Sequence, residues 1–291
     1  MGLKYLNAFP QARPGALAMN HRPQESEDEF WVDLDKIRTL QFRNLGGQVQ
    51  GGGILYSVLA ASDFFTSDVE KRAARTEYKV VEGVDPDPQL ALVEDWGGKF
   101  QVGAEQVLRN DVSYLDQQTT QLANTLARKL DVRAVEVVTA AVTGANVVSG
   151  HNWSTVKTVG PASDLTPSGE LPTADLSAAQ LASDLQELGV KHDLLIVHPN
   201  QAHALRVAYG DNLAKMLDSA GLSLFSNPRI AAGTAWCVEQ GAVGTVGFEQ
   251  PLTVDVWEDK ATRSTWVQAY VVPAFAVDRP YAAKKLTGLA G

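Results

Sequence analysis

Cysteine is nearly absent: Cys237 is the only one in 291 residues. No intrachain disulfide can form, and a reducing compartment suits the chain. Long apolar runs are missing as well. No stretch approaches the ~18 continuous apolar residues of a membrane span. The opening Met1–Gly15 holds no apolar core of signal-peptide length, and Leu6 stands where a myristoylation motif needs Ser or Thr. These absences predict a chain made in the cytoplasm. Basic clusters are scarce too. The formal net charge is -9, and Lys and Arg gather only in pairs such as Lys71-Arg72 and Lys284-Lys285. Affinity built on neutralising phosphates needs denser basic patches. Sequence-specific reading of nucleic acid is therefore not expected, although a mildly acidic wall enclosing DNA stays open.

Motifs of known chemistry are missing in the same way. There is no Gly-x-x-x-x-Gly-Lys-Ser/Thr, no Gly-x-Ser-x-Gly elbow, no His-Glu-x-x-His pair and no dinucleotide fingerprint. The glycines Gly46-Gly47 and Gly51-Gly52-Gly53 read as flexible connecting backbone rather than a phosphate cradle. His198 and His203 are five apart with Pro199 between, whereas helical metal pairs sit four apart; His198 reads as a satisfied strand-end histidine. Glu77, Glu82, Asp85, Asp87, Glu94 and Asp95 read as a solvated face, without the burial that tunes acid–base groups. Cys237, between Trp236 and Val238, reads as a buried inert thiol. No catalytic, cofactor or metal residue is assigned.

What is present is ordinary globular material, 45% hydrophobic and 20% charged, long enough for a sizeable core. The first 36 residues carry scattered prolines and the acidic run Glu25–Glu29. They read as an extended arm or a disordered tail. Arg75–Val81 reads as a strand and Leu90–Val93 as another, with turn-rich Gly83-Val84-Asp85-Pro86-Asp87-Pro88 between them. This predicts a long hairpin with a stiff tip. Two strands bury too little to stand alone in water, so the hairpin needs a second surface.

Residues 104–142 then repeat apolar positions at Leu108, Val112, Leu115, Leu122, Leu126 and Leu130 with no proline. The spacing predicts one very long helix, or two broken near Asp131-Val132-Arg133. Loops with a short hairpin are expected over 145–173, then a helix to about Leu188 capped by Asp175 or Ser177. A buried strand follows at Asp193–His198, a helix at Asn200–Tyr209 and a long loop with some helix over 211–228. Strands are expected at Ala235–Val238, Val243–Phe248 and Leu252–Glu258. A closing hairpin pairs Thr253–Trp257 with Thr265–Val272. The class is α+β mixed.

This order of elements resembles the major capsid proteins of tailed bacteriophages, the Hong Kong 97 fold shared with encapsulins. Two passages strengthen the likeness. Trp96-Gly97-Gly98-Lys99-Phe100-Gln101-Val102, with Glu105 and Arg109-Asn110-Asp111, is similar to the family's passage from E-loop into spine helix. Phe275-Ala276-Val277-Asp278-Arg279-Pro280 with Lys285-Leu286-Thr287-Gly288 looks like its last P-domain strand. The resemblance implies an N-terminal arm at 1–60, an E-loop hairpin with its lead-in at 61–102 and a P-domain spine helix at 103–145. An A-domain at 146–250 and P-domain return strands with the C-terminus at 251–291 complete it.

It implies a structural, non-enzymatic subunit that self-assembles into hexamers and pentamers of an icosahedral head enclosing double-stranded DNA. Asp85, Pro86, Asp87 and Pro88 would make inter-subunit contacts at the E-loop tip. Lys260 and Arg263 would meet neighbouring capsomers at the P-domain hairpin tip, and residues 211–228 would lie near the capsomer centre. The implied partners are copies of itself, a separate scaffolding protein, a portal at one vertex, a decoration protein and packaged DNA, with no membrane. The place is the virion, after assembly in the host cytoplasm. Some relatives weld Lys to Asn between subunits. Lys79 could serve, but no Asn follows Asn227, so no such weld is expected. The stretch ahead of the hairpin is too short for a cleaved scaffold, so large proteolytic trimming is not expected either. Rival readings are an encapsulin-type shell around cargo enzymes and, more remotely, an α/β enzyme.

Overall fold

The computed structural model describes residues 42–64, 69–83, 86, 88–105 and 112–290. The first 41 residues, Asp85, Asp87 and Arg109-Asn110-Asp111, all singled out above, lie outside this set. The described chain builds two sheets joined by one long helix, with a small hairpin standing off the first sheet.

The first sheet contains β1 (Phe42–Gln48), β4 (Trp96–Gly103), β9 (Gly244–Asp259) and β10 (Ser264–Ala276), in the order β1-β9-β10-β4. β9 and β10 form the expected closing hairpin, with Trp257 opposite Trp266 and Asp259 opposite Ser264. The two strands expected at 243–248 and 252–258 are one 16-residue strand. Pro251 between them is tolerated because β1 pairs only with Gly244–Phe248, so no neighbour asks for its missing N–H on that side. The register shifts beside it, between Tyr270 and Pro273. β1 falls within the stretch read as an arm, yet it pairs in parallel with β9. Gly244 permits this approach, since a Cβ there would collide with the Ala276 carbonyl and the Phe42 ring.

The expected spine is α1 (Val112–Ala141), a 30-residue helix of about 45 Å, unbroken at Asp131–Arg133. Ala104 and Glu105 are helical as well, and residues 106–111 are outside the described set. Its buried positions Leu126, Leu130, Ala134 and Val138 follow a step of four, with Ala127 beside them, and Val142 just past its end continues the row. Leu130 packs against Val271 of the first sheet. Ala134, Val138 and Val142 enter a core that also holds Phe42, Val246 and Phe275 from the first sheet and Ile196, Trp236 and Val238 from the second. The C-terminal half of the helix is thus the joint between the sheets.

The second sheet orders β5 (Val147–Ser149), β11 (Ala283–Thr287), β8 (Ala235–Val238), β6 (Leu194–Val197) and β7 (Ser223–Ser226). β6 and β8 are buried throughout, as their unbroken apolar runs require for strands covered on both faces. One face meets α1. The other is covered by α2 (Pro172–Asp184), α3 (Pro199–Tyr209) and α4 (Leu213–Ala220), around Leu195, Val197, Leu205, Leu217 and Leu286.

Several local expectations are corrected. Among the described residues, Arg75–Val81 pairs with no strand. The partner of β3 (Pro88–Leu92) is β2 (Gly53–Ser57), reached through Gly51 and Gly52, both at φ +82. The glycine segment is therefore the turn into the hairpin. α2 is capped at Leu171 with Pro172 opening the helix, so Asp175 and Ser177 lie inside it. β5 pairs in parallel with distant β11 rather than in a local hairpin. Lys285–Thr287 belongs to the second sheet, because β8 offers it an antiparallel edge. The long loop over 211–228 contains α4 and β7.

One ion pair braces the helix to the base of the hairpin. Arg133 Nε and Nη2 donate to both oxygens of Glu94 at 2.6–2.9 Å, and Trp96 Nε1 donates to the same carboxylate at 3.2 Å. The hydrogen bonds to Glu94 raise the Arg133 pKa further. Arg133→Ala is expected to lower unfolding stability by about 1 kcal/mol in urea titration, since the pair is partly solvated. A loss indistinguishable from zero would show that the bracing is carried elsewhere.

Candidate functional site

The β2–β3 hairpin has two unlike faces. Ile54 points to the first sheet, where a Cβ on Gly247 would meet it at 2.9 Å. The opposite face carries Leu55 and Leu90, directly paired, with Leu92 next to them. These leucines are 71%, 59% and 65% exposed. Three adjacent exposed leucines on an extended hairpin have no reason to exist in an isolated subunit. All fifteen residues from Val69 to Gly83 are exposed. Within this stretch Lys79 pairs with Glu70 at 3.0 Å, and the Arg72 guanidinium lies over the Tyr78 ring.

Of the tip residues expected to touch a neighbour, Pro86 is half-buried and Pro88 opens β3 opposite Ser57. Lys260 and Arg263 occupy the β9–β10 turn, both exposed. That turn is rigid. Asp259 accepts from the Ala261 N–H and the Thr262 hydroxyl, each at 2.9 Å, and the Thr262 bond foremost holds its pKa below the usual carboxylate value. Arg263 takes a positive φ of 50, and its carbonyl accepts from the Ala104 N–H at 2.9 Å. The turn and the base of the hairpin are different surfaces. The hairpin base is tied to Pro273 by the Glu94 N–H, nine residues along β10 from Ser264 and so roughly 30 Å away.

The groups weighed for chemistry hold structural positions. His198 caps α3, its Nδ1 accepting from the Asn200 N–H at 3.2 Å, while His203 lies exposed on the helix. Cys237 is buried, and burial pushes its thiol up to about 12. A cavity of about 320 Å³ opens beside α2 and α4, lined by Leu176, Gln180, His192, Met216, Leu222 and Cys237. Burial first, and the charge of Lys284 second, lower His192 to about 4, so it is neutral at pH 7. A neutral imidazole bonded to Ser183 and a thiol this reluctant to ionise supply no nucleophile there. No helix among the described residues is long and apolar enough to cross a membrane.

Two polar clusters escaped the sequence reading. Asp175 on α2, 2% exposed, gathers three donors from the 151–153 turn. Lys284 on β11 is fully buried among three neutral oxygens. Both are single charges in ordinary contexts, with no local signal to mark them.

Comparisons with known proteins agree with this geometry. The sequence profile of a family described as phage capsid protein matches residues 87–286. No curated protein matches by sequence. Among solved structures, the virus-like particle of Pyrococcus furiosus aligns with TM-score 0.59 at 14% identity, covering 90% of this chain and 99% of that one. The capsid of cyanophage P-SCSP1u gives 0.61 at 12% identity, over 89% and 88% of the two chains. The capsid of Myoviridae phage XM1 gives 0.57 at 11%, over 88% and 91%. At such identities the likeness is one of fold, and the fold is Hong Kong 97-like.

Proposed function

Because the chain belongs to the phage capsid protein family, we propose that it is the major subunit of a tailed-phage head. On this reading, copies assemble into hexamers and pentamers of an icosahedral shell that encloses double-stranded DNA. The observation that carries it is the outward leucine face of the β2–β3 hairpin, Leu55, Leu90 and Leu92, which has no covering layer among the described residues. A hairpin on a neighbouring copy's surface removes that apolar area from water, and repeated head-to-tail contacts close into rings. Pro88 opens β3 of the same hairpin and, with Asp85, Pro86 and Asp87 just before it in sequence, would meet the neighbour. Lys260 and Arg263, held out on the rigid β9–β10 turn, would meet adjacent capsomers. A separate scaffolding protein, a portal at one vertex and a decoration protein complete the expected partners. Assembly takes place in the host cytoplasm, and the DNA is held without sequence reading, in keeping with a net charge of -9.

A second reading, a cellular shell around cargo enzymes, is favoured by one finding, the likeness to the Pyrococcus furiosus virus-like particle. Electron microscopy of the concentrated protein, alone and with its scaffold, tests both. Closed shells or capsomer rings are expected. Leu90→Asp should reduce them at least about tenfold without unfolding the subunit, because a charge placed in a desolvated contact costs several kcal/mol. Purified shells containing DNA fit the phage head; shells filled with enzyme favour the second reading. A wild-type subunit that stays monomeric under every condition overturns both.

A further inference from the structure

The cavity beside α2 and α4 is polar at its rim and apolar at its floor. Thr173 and Ser177 lie exposed on α2, and Ser219 lies exposed near the end of α4. The floor is formed by Leu176, Met216, Leu222 and Cys237, none more than 8% exposed. One polar group interrupts that floor. His192 is 6% exposed, and its Nδ1 has no hydrogen-bond partner among the described residues.

The groups around the imidazole hold it in place without satisfying that atom. Nε2 lies 2.8 Å from the hydroxyl of Ser183, which does not line the cavity, so Nδ1 is the polar ring atom left to it. The His192 main-chain N–H donates to Gln180 Oε1 at 3.1 Å. Gln180 Nε2 in turn donates to Asp184 Oδ1 at 2.7 Å and to the Val190 carbonyl at 3.0 Å, so this wall is committed at both ends. A buried polar atom without a partner is costly. Water suits the spot poorly, because a buried water takes about three polar partners and the floor offers Nδ1 and a weakly bonding thiol. No Asp, Glu, Lys or Arg lines the cavity, so a charged guest finds no counter-charge there. A hydroxyl both donates and accepts, and therefore matches Nδ1 in either tautomer of the neutral ring.

We infer that this cavity is a binding site for a small neutral alcohol or phenol, its hydroxyl on His192 Nδ1 and its apolar body against Leu176, Met216 and Leu222. The volume of about 320 Å³ lies at the small end of ligand pockets, which suits a guest of about one ring. Met216 has the adaptable side chain that lets such a wall follow the shape of its guest. α2 supplies Leu176 and α4 supplies Met216, so a guest joins two helices of the layer that covers the second sheet. The site belongs to the folded subunit and is independent of shell assembly.

Titration of the full-length subunit with phenol, followed by calorimetry and by NMR of the histidine ring nitrogens, tests this. Phenol should bind saturably with Kd of about 1 mM or tighter, and the His192 Nδ1 signal should move with the same constant. Benzene keeps the ring and lacks the hydroxyl, so it should bind at least about tenfold more weakly. Ser177→Trp, placed at the exposed rim, should weaken phenol at least about tenfold while the urea midpoint stays where it was. His192→Phe should erase the preference for phenol over benzene; should that variant not fold, the benzene comparison and Ser177→Trp still decide. Absence of saturable binding, equal affinity for phenol and benzene, a His192 signal that stays fixed as phenol saturates, or full phenol affinity in Ser177→Trp each overturns the site. Every arm uses the free subunit, so none of these results bears on the shell reading.

Discussion

Asp175→Ala is expected to remove about 3–5 kcal/mol of folding stability, read from urea denaturation at pH 7. The carboxylate is buried inside α2, and its partners come from the turn after β5. Trp153 Nε1 donates to Oδ2 at 2.7 Å, the His151 backbone N–H to Oδ2 at 2.9 Å, and His151 Nδ1 lies 2.7 Å from Oδ1. The Trp153 side chain is itself 1% exposed, so its N–H cannot turn to water once the acceptor is gone. A buried donor left unpaired costs about 1–3 kcal/mol on its own. The site is built around this carboxylate. A Cβ on Gly150 would lie 2.9 Å from Asp175 Oδ2 and 2.6 Å from Leu289, so only glycine lets the chain pass this close. The same turn is tied to the C-terminus, with the Trp153 N–H on the Leu289 carbonyl at 3.2 Å and the Gly150 N–H on Thr287 at 2.8 Å. Asp175 thus fastens the last strand of the chain to the helical layer. His151→Ala, at a half-exposed side chain, should cost only about 1 kcal/mol, the scale of one solvated hydrogen bond. If Asp175→Ala costs no more than that, the carboxylate is not the fastener.

Elements with a local signature were legible in the sequence, and elements defined by distant pairing were not. α1 showed itself through thirty residues of helical spacing without proline, and its joint role emerged only because Ala134, Val138 and Val142 meet both sheets. The β9–β10 hairpin was readable because its halves are neighbours in sequence. β2 was hidden because glycines at 51–53 signal a break, and only the structure gives Gly51 and Gly52 the positive φ that turns the chain toward β3. Arg75–Val81 had the composition of a strand but no partner among the described residues, so propensity alone overstated it. Asp175 looked like a cap until Pro172 took the first turn of the helix. Among the expected contact residues, Lys260 and Arg263 were legible as a turn between apolar strands. The leucine face was not, because Leu55 and Leu90 share a side only through a register that joins residues 35 positions apart. Lys284 and Lys285 make the point most sharply. They are adjacent, yet the strand alternation sends Lys285 over the Trp236 ring and buries Lys284 completely.

That buried lysine should make the subunit more stable as the solution turns alkaline. Nζ of Lys284 donates to Asn146 Oδ1 at 2.6 Å, Gln186 Oε1 at 2.8 Å and the Tyr281 carbonyl at 3.1 Å. The three acceptors satisfy the three ammonium donors, but none is a carboxylate, so the charge itself is unneutralised. Burial lowers the pKa from 10.5 to about 8. The folded state therefore gives up this proton more readily than the unfolded chain. Below pH 8 the amine is charged in both states and the cost of burying the charge is present in full. Between about 8 and 10.5 the unfolded state binds more protons, so stability rises with pH. Above 10.5 both states are neutral and the gain is complete, about 3 kcal/mol from a shift of this size. Urea titrations of wild type and Lys284→Met at pH 7.5, 9 and 10.5 isolate the effect, because distant groups titrate alike in both proteins and cancel. The wild type should gain about 3 kcal/mol relative to the variant across that range. A second readout follows from the neighbour. The charge of Lys284 helps hold His192 near 4, so removing it should move the His192 titration upward in NMR even if both proteins unfold at the same urea concentration. A stability difference that stays flat with pH, together with an unmoved His192, would mean that the Lys284 ammonium is solvated after all, and that the layer between the second sheet and α2 is wetter than its packing indicates.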